Sequence, residues 1–152
     1  MTLSQKETTL LQDLKSQEQV CIEKYAKYSN QACDGQLKNL FSTLGQKEQQ
    51  HFDTINQILG GTVPSMSGGQ SGASSSPTIT PSTIYNEQTK QQDCYLCKDA
   101  LSTEKHVSSA YNTSIFEFKD VSIRDALNHI QKEEQEHGQQ IYNFMSQNGM
   151  YN

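Results

Sequence analysis

The sequence contains no long apolar run and no cluster of lysine and arginine residues. A membrane-spanning helix needs about 20 consecutive apolar residues, so we predict no membrane span. The formal net charge of −5, without a basic stripe, predicts that neither nucleic acid nor an anionic membrane is a partner. The first residues, MTLSQKETTLLQDLK, lack the apolar core of a signal peptide, so we expect an intracellular protein.

Cysteine is also scarce. Four cysteines in 152 residues are too few to form a disulfide scaffold. Cys94 and Cys97 form a single CxxC motif, whereas a zinc ribbon needs a second pair. We interpret them as reduced thiols at the start of a helix, and a redox or metal-binding role is the alternative.

Strand signals are absent, because β-branched residues do not alternate over more than a few positions. All three prolines lie within residues 60–92, a stretch rich in Gly, Ser and Thr. This composition cannot form a packed core and predicts a flexible linker. We therefore predict a single domain over 1–152, with helical segments at 3–59 and 93–148 on either side of the linker.

Both helical segments divide into two helices. Apolar residues recur at helical spacing on each side of a break near Asp34 and a second break near Asp120. Asp34 can cap the helix after the first break, and either Asp120 or Ser122 can cap the helix after the second. Ser4 and Glu7 form a capping-box pattern before the first helix, and Gly60 and Gly149 are expected to end the second and fourth. The prediction is an all-α fold, a four-helix bundle of two hairpins joined by a long crossover.

The two segments are related by an internal repeat. Shifting the first by 86 residues aligns it with the second without a gap. A Glu, a Tyr and a Glu-x-x-His motif coincide in this alignment. The coinciding pairs are Glu18 and Glu104, Tyr25 and Tyr111, Glu48 and Glu134, and His51 and His137.

Six of these ionisable residues interrupt the apolar stripes, on the faces that should point to the core. They are Glu18, Glu48, His51, Glu104, Glu134 and His137. In each hairpin the two glutamates are equally distant from the turn, so antiparallel packing places them at one level. Packing the hairpins face to face would bring four carboxylates and two imidazoles together. A single Glu-x-x-His motif is usually a solvated helix face, but the complete set in register with both turns favours a common site.

Buried carboxylates repel one another unless a positive charge joins them. Two divalent cations would neutralise four glutamates, and oxygen and imidazole ligands suit Fe, with Mn and Zn as alternatives. We predict that Glu48 and Glu134 bridge two metal ions, Glu18 and Glu104 are terminal ligands, and His51 and His137 each bind one ion. A catalytic residue cannot be assigned.

Two tyrosines and two further histidines lie on the same helices as these ligands. Tyr25 and Tyr111 share the faces of Glu18 and Glu104, so they either pack in the core or donate a hydrogen bond to a ligand. His106 and His129 fall off the inner stripes and are expected to be exposed.

With these residues, the chain resembles the ferritin-like superfamily, whose di-metal members take one Glu from each of two helices and Glu-x-x-His from the other two. The stretches LLQDLKSQEQVCIEKY, ACDGQLKNLFSTL and IYNFMSQNGMYN are similar to the spore coat F family. This resemblance implies a ferritin-like bundle, a location in the spore coat, and other coat proteins or further copies of the chain as partners.

Two other functions fit the same residues. A di-iron or di-manganese oxidoreductase acting on O2 or peroxide, similar to rubrerythrin or catalase, would use the same metal ligands. Rubrerythrin-like peroxidases usually have a further Glu where this chain has Val107, and usually carry paired CxxC motifs. A purely structural coat bundle with a vestigial site is the other alternative.

Overall fold

The structure is a computed structural model that describes residues 1–66 and 78–151, and this part of the chain contains four α-helices. They are α1 (Gln5–Gln31), α2 (Gly35–Leu59), α3 (Glu87–Ile115) and α4 (Val121–Gln147). α1 packs along α2 and α3 along α4, and the two hairpins meet through α1–α3 and α2–α4 contacts. The predicted all-α four-helix bundle is therefore confirmed.

Three of the four helices begin directly after the residue that was predicted to cap them. The Ser4 hydroxyl accepts a hydrogen bond from the Glu7 amide at 3.2 Å, and the Glu7 carboxylate accepts one from the Ser4 amide at 2.8 Å. Asp34 accepts from the Leu37 amide at 3.0 Å. Asp120 caps α4 by accepting from the Ser122 amide at 2.8 Å. These bonds satisfy amides that have no partner within the first helical turn.

The third helix begins earlier than predicted. α3 starts at Glu87, inside the range 60–92 assigned to the linker, and Asn86 caps it by accepting from the Thr89 amide at 2.9 Å. The polar stretch between Glu87 and Gln92 contains Glu, Gln and Lys, which are good helix formers, so a low apolar content does not prevent a helix there. The centre of the predicted flexible linker, residues 67–77, lies outside the described residues.

Contacts between the hairpins define their relative direction. Near the end of α1, Lys24 lies 3.0 Å from Asp99, which is in the first half of α3. Near the start of α1, Glu7 accepts a hydrogen bond from the Lys119 amide, which follows α3. α1 and α3 are therefore antiparallel, as are α1 and α2. Consequently α2 and α3 run in the same direction, and Leu59 and Glu87 lie at opposite ends of the bundle.

A buried acidic residue of each hairpin holds the turn of the other. Asp93 is fully buried and accepts hydrogen bonds from the amides of Cys33 and Asp34, at 2.8 and 2.9 Å, and from the Tyr85 hydroxyl at 2.6 Å. Glu7 accepts from the Lys119 amide at 3.2 Å. Glu7 and Asp93 are related by the 86-residue shift, as are residues 33 and 119. The repeat therefore extends to the contacts that join the hairpins.

The apolar core forms two clusters on either side of a polar layer. Along α2, Leu44 belongs to one cluster and Ile55 to the other, while Glu48 and His51 lie between them. Along α4 the order is reversed, with Ile130 and Ile141 on either side of the second Glu-x-x-His motif.

Among the described residues, no helix is long and apolar enough to cross a membrane.

The Asp93 contacts yield a prediction about stability. Asp93→Ala removes the acceptor of three hydrogen bonds, two of them from amides at a helix start. We expect the free energy of unfolding to fall by about 3 kcal/mol, measured by urea denaturation. Asp125→Ala, at an exposed position of α4, is the matched control and should change the value little. Equal stability of the two variants would contradict a clamping role for Asp93.

Candidate metal centre

All six predicted ligands lie in the polar layer between the two apolar clusters. α1 and α3 contribute one glutamate each, Glu18 and Glu104, and α2 and α4 contribute one Glu-x-x-His motif each. None of the six residues is more than 2% exposed. The sequence pattern therefore identified six side chains that the bundle buries together.

The six side chains form two overlapping groups. One contains Glu18, Glu48, His51 and Glu134, and the other contains Glu48, Glu104, Glu134 and His137. Within each group, one potential ligand atom from every residue lies within 4.8 Å of the others. Glu48 and Glu134 are common to both groups, which is the arrangement expected of bridging carboxylates.

Both imidazoles turn the same nitrogen towards the carboxylates. His51 Nδ1 lies 3.1 Å from Glu48 Oε2 and 3.2 Å from Glu134 Oε1. His137 Nδ1 lies 3.1 Å from Glu48 Oε1 and 3.6 Å from Glu134 Oε2. Each shared glutamate thus offers one oxygen to each histidine. The two rings are stacked, with centroids 5.6 Å apart.

Tyr25 and Tyr111 donate hydrogen bonds to the terminal glutamates. Each tyrosine donates to the glutamate of the other hairpin and not to the one on its own helix. The Tyr111 hydroxyl donates to Glu18 Oε1 at 2.5 Å, and the Tyr25 hydroxyl donates to Glu104 Oε1. Burial and the charge of these glutamates raise the pKa of both tyrosines well above the usual value, so both hydroxyls stay protonated as donors. Each tyrosine therefore orients the glutamate of the opposite hairpin, because α1 and α3 are antiparallel.

The site leaves several buried oxygens without a hydrogen-bond donor. Among the described residues, these include Oε2 of Glu18, Glu104 and Glu134. A buried carboxylate oxygen without a donor or a cation is unfavourable by about 1–3 kcal/mol. Three such oxygens surrounding two imidazole nitrogens form the donor set that Fe, Mn and Zn accept. The residues present could therefore hold metal ions.

The four carboxyl groups fall into two classes of acidity. Burial raises the pKa of Glu48 to about 7, although hydrogen bonds to His137 and His51 oppose it. Burial also raises the pKa of Glu134 well above its usual range. Burial opposes ionisation of Glu104 too, but its hydrogen bonds to Glu134 and His137 lower its pKa to about 2. Burial opposes ionisation of Glu18 as well, but its contacts with His51 lower its pKa. The terminal glutamates are therefore the more acidic pair, and the shared glutamates keep their protons to higher pH.

The imidazoles also retain protons. Burial acts to lower the pKa of His51 and His137, but hydrogen bonds that the rings donate to the surrounding carboxylates outweigh it and raise both pKa values well above the usual range. In the metal-free protein, protons on these rings and on the shared glutamates thus compensate the buried negative charge. Metal binding would have to displace these protons.

One residue beside the site was not predicted from the sequence. Glu133 Oε1 lies 3.5 Å from His51 Nε2, the ring nitrogen that points away from the carboxylates. Burial acts to raise the pKa of Glu133, but the nearby His51 and Lys47 side chains outweigh burial and lower this pKa to about 2. His129, expected to be exposed, is instead partly buried and lies 2.8 Å from the same carboxylate. His106 is exposed as predicted.

The four cysteines are free thiols, as predicted. Cys97 is buried in an apolar cluster, and Cys94 is partly buried beside the Met150 carbonyl. Within the described ranges, neither of them belongs to a group of side chains that could hold a metal.

A comparison with known families finds a match in the second half of the chain. Residues 92–152 match the Coat F domain. Among curated proteins and solved structures there is no significant match. The matched range covers α4 and most of α3, and it includes Glu104, Glu134 and His137. The second hairpin is therefore similar to the Coat F domain, which supports the predicted resemblance to spore coat proteins. The assignment to the ferritin-like superfamily stays a prediction.

The pKa shifts predict how the stability of the metal-free protein depends on pH. Glu48, Glu134, His51 and His137 bind protons more tightly in the folded chain than in the unfolded chain. Between about pH 6 and about pH 9 the unfolded state therefore releases protons that the folded state keeps, so the free energy of unfolding should decrease as pH rises. Thermal melting of chelator-treated protein across this range measures the effect.

The matched control is Glu48→Gln, which carries no titrating proton and should reduce the slope. A melting temperature of the metal-free wild-type protein that rises over the same range would contradict the assignment of protons to these groups.

Proposed function

We propose that this protein is a spore coat protein whose helical bundle binds two metal ions, Fe or Mn, with Zn as an alternative, in its buried polar layer. The observation that supports this most strongly is the sharing of Glu48 and Glu134 between two ligand groups. Each of the two carboxylates offers one oxygen to each imidazole, as a bridging ligand would.

The roles of the six residues follow from their neighbours. Glu48 and Glu134 would bridge the ions, and Glu18 with His51 would complete the ligands of one ion, while Glu104 with His137 would complete those of the other. The tyrosine hydroxyls of α1 and α3 hold one oxygen of each terminal glutamate. The other oxygen is left free for a metal ion.

A location in the spore coat is supported by the Coat F match over residues 92–152. Other coat proteins, or further copies of this chain, are the partners that this location implies. In this role the metal pair would serve stability, because it would replace a set of displaceable protons by ions joined to all four helices.

An oxidoreductase acting on O2 or peroxide is the second candidate, and a groove favours it. A cavity of about 500 Å³ lies between α1 and α3, and Cys21 and Val107 are among its lining residues. These two residues lie three positions after Glu18 and Glu104, on the same helix faces. A small molecule in the groove would thus be separated from the site by two side chains. Bound Fe or Mn would supply redox chemistry there.

Metal analysis tests the proposed site. We expect protein loaded with Fe²⁺ or Mn²⁺ under anaerobic conditions and freed of excess metal to retain about two ions per chain. Glu48→Gln and Glu134→Gln each remove a bridging charge and should lower the retained metal to less than one ion. Elemental analysis by mass spectrometry measures the content, and circular dichroism checks the fold.

Glu136→Gln is the control, because Glu136 is an exposed residue of the same helix. It should retain metal like the wild type. A wild-type protein that retains no ion, and whose melting temperature does not respond to metal or to the Glu48 substitution, would refute the site and favour a vestigial polar core.

A turnover assay distinguishes a structural coat protein from an oxidoreductase. We expect the Fe- or Mn-loaded protein to consume peroxide or O2 no faster than the same concentration of free metal, because a structural ion pair needs no open ligand position. An oxygen electrode measures O2 consumption, and the ultraviolet absorbance of peroxide measures its loss, each in the presence of a reductant. Multiple turnovers that disappear in Glu48→Gln would instead identify an oxidoreductase.

A further inference from the structure

Glu133 lies behind one of the two histidines, on the side facing away from the candidate metal pair. His51 directs Nδ1 at the shared glutamates, and its Nε2 is buried without a hydrogen bond of ordinary geometry. The Glu133 carboxylate lies 3.5 Å from this Nε2. A small rotation of the ring would therefore bring the Nε2–H within hydrogen-bonding distance of Glu133.

Two further side chains hold this carboxylate in place. Lys47 Nζ lies 3.0 Å from Glu133 Oε2, and His129 Nε2 lies 2.8 Å from Oε1. The Glu133 side chain is only 14% exposed, whereas those of Lys47 and His129 are 43% and 36% exposed. Glu133 is thus fixed between the buried imidazole and the surface of the bundle, which suits a residue that orients its neighbour.

The repeat makes this arrangement asymmetric. The 86-residue shift that relates His51 to His137 also relates Lys47 to Glu133. The second hairpin therefore provides a carboxylate behind His51, whereas the corresponding residue of the first hairpin is a lysine. The six ligands themselves obey the repeat, so the difference between Glu133 and Lys47 makes the surroundings of the two histidines unequal.

We propose that Glu133 is a positioning residue for His51, and that it makes the metal position of Glu18 and His51 the tighter of the two. This inference rests on the proposed two-metal site. Glu133 accepts the Nε2–H of His51, which keeps the Nδ1 lone pair directed at the metal. A carboxylate in this place also makes the imidazole a stronger ligand. His137 receives no such support from the position occupied by Lys47.

Calorimetric titration of the metal-free full-length protein with Mn²⁺ tests the inference. The wild type should show two binding steps of unequal affinity. Glu133→Gln should weaken the tighter step by about 10- to 100-fold and the weaker step much less. Glu133→Asp keeps the charge and should weaken the tighter step less than Glu133→Gln does. Glu136→Gln, which changes an exposed carboxylate of the same helix, should leave both steps unchanged.

A double-mutant cycle separates positioning from a general effect on the fold. In a His51→Gln background, Glu133→Gln should cause no further loss of affinity, because the side chain that it orients is gone. In a His137→Gln background, its full effect should remain. Electron paramagnetic resonance of bound Mn²⁺ then reports whether the ions occupy one position or two.

The outcomes distinguish the two proposals. If the wild type binds two Mn²⁺ ions but Glu133→Gln leaves both steps unchanged or weakens them equally, the positioning role is overturned while the two-metal site stands. If the wild type binds no Mn²⁺, Fe²⁺ or Zn²⁺, both proposals fail.

Discussion

Four glutamates and two histidines are buried at one level of the bundle, and their charge has to be compensated there. In the metal-free chain, the compensation comes from protons on the two imidazoles and on the shared glutamates. This requirement determines much of the surrounding structure. The two Glu-x-x-His motifs must face each other, the terminal glutamates must receive tyrosine hydroxyls, and the apolar core must divide into two clusters around the polar layer.

The packing of the hairpins gives this layer its geometry. Because α1 and α3 are antiparallel, Glu7 and Asp93 can each accept a hydrogen bond from a backbone amide in the turn of the other hairpin. The same relation brings Tyr25 to Glu104 and Tyr111 to Glu18. The contacts at the ends of the bundle and those at its centre thus follow one approximate two-fold symmetry. Glu133 and Lys47 depart from it.

Much of the fold and the site could be predicted from the sequence, because both depend on spacing along single helices. Glu48 and His51 interrupt an apolar stripe three positions apart, which locates them on the buried face of α2. The prediction was less accurate for α3, whose first turn is polar and is defined by the Asn86 cap. Sequence reasoning also missed Glu133 as a neighbour of His51. Glu133 is one of three glutamates within four residues, and its proximity to His51 depends on how α4 packs against α2.

The sequence by itself therefore determined the four helices, the N-terminal caps of α1, α2 and α4, and the six side chains of the polar layer. The helices follow from the spacing of apolar residues. The polar layer follows from the internal repeat, because the two glutamates of each hairpin are equally far in sequence from the turn between their helices. Only the tertiary structure decided that each tyrosine hydroxyl donates to the glutamate of the opposite hairpin and that Glu133 lies 3.5 Å from His51. Such pairings depend on the direction and register in which the hairpins dock, and no spacing within a single helix records them.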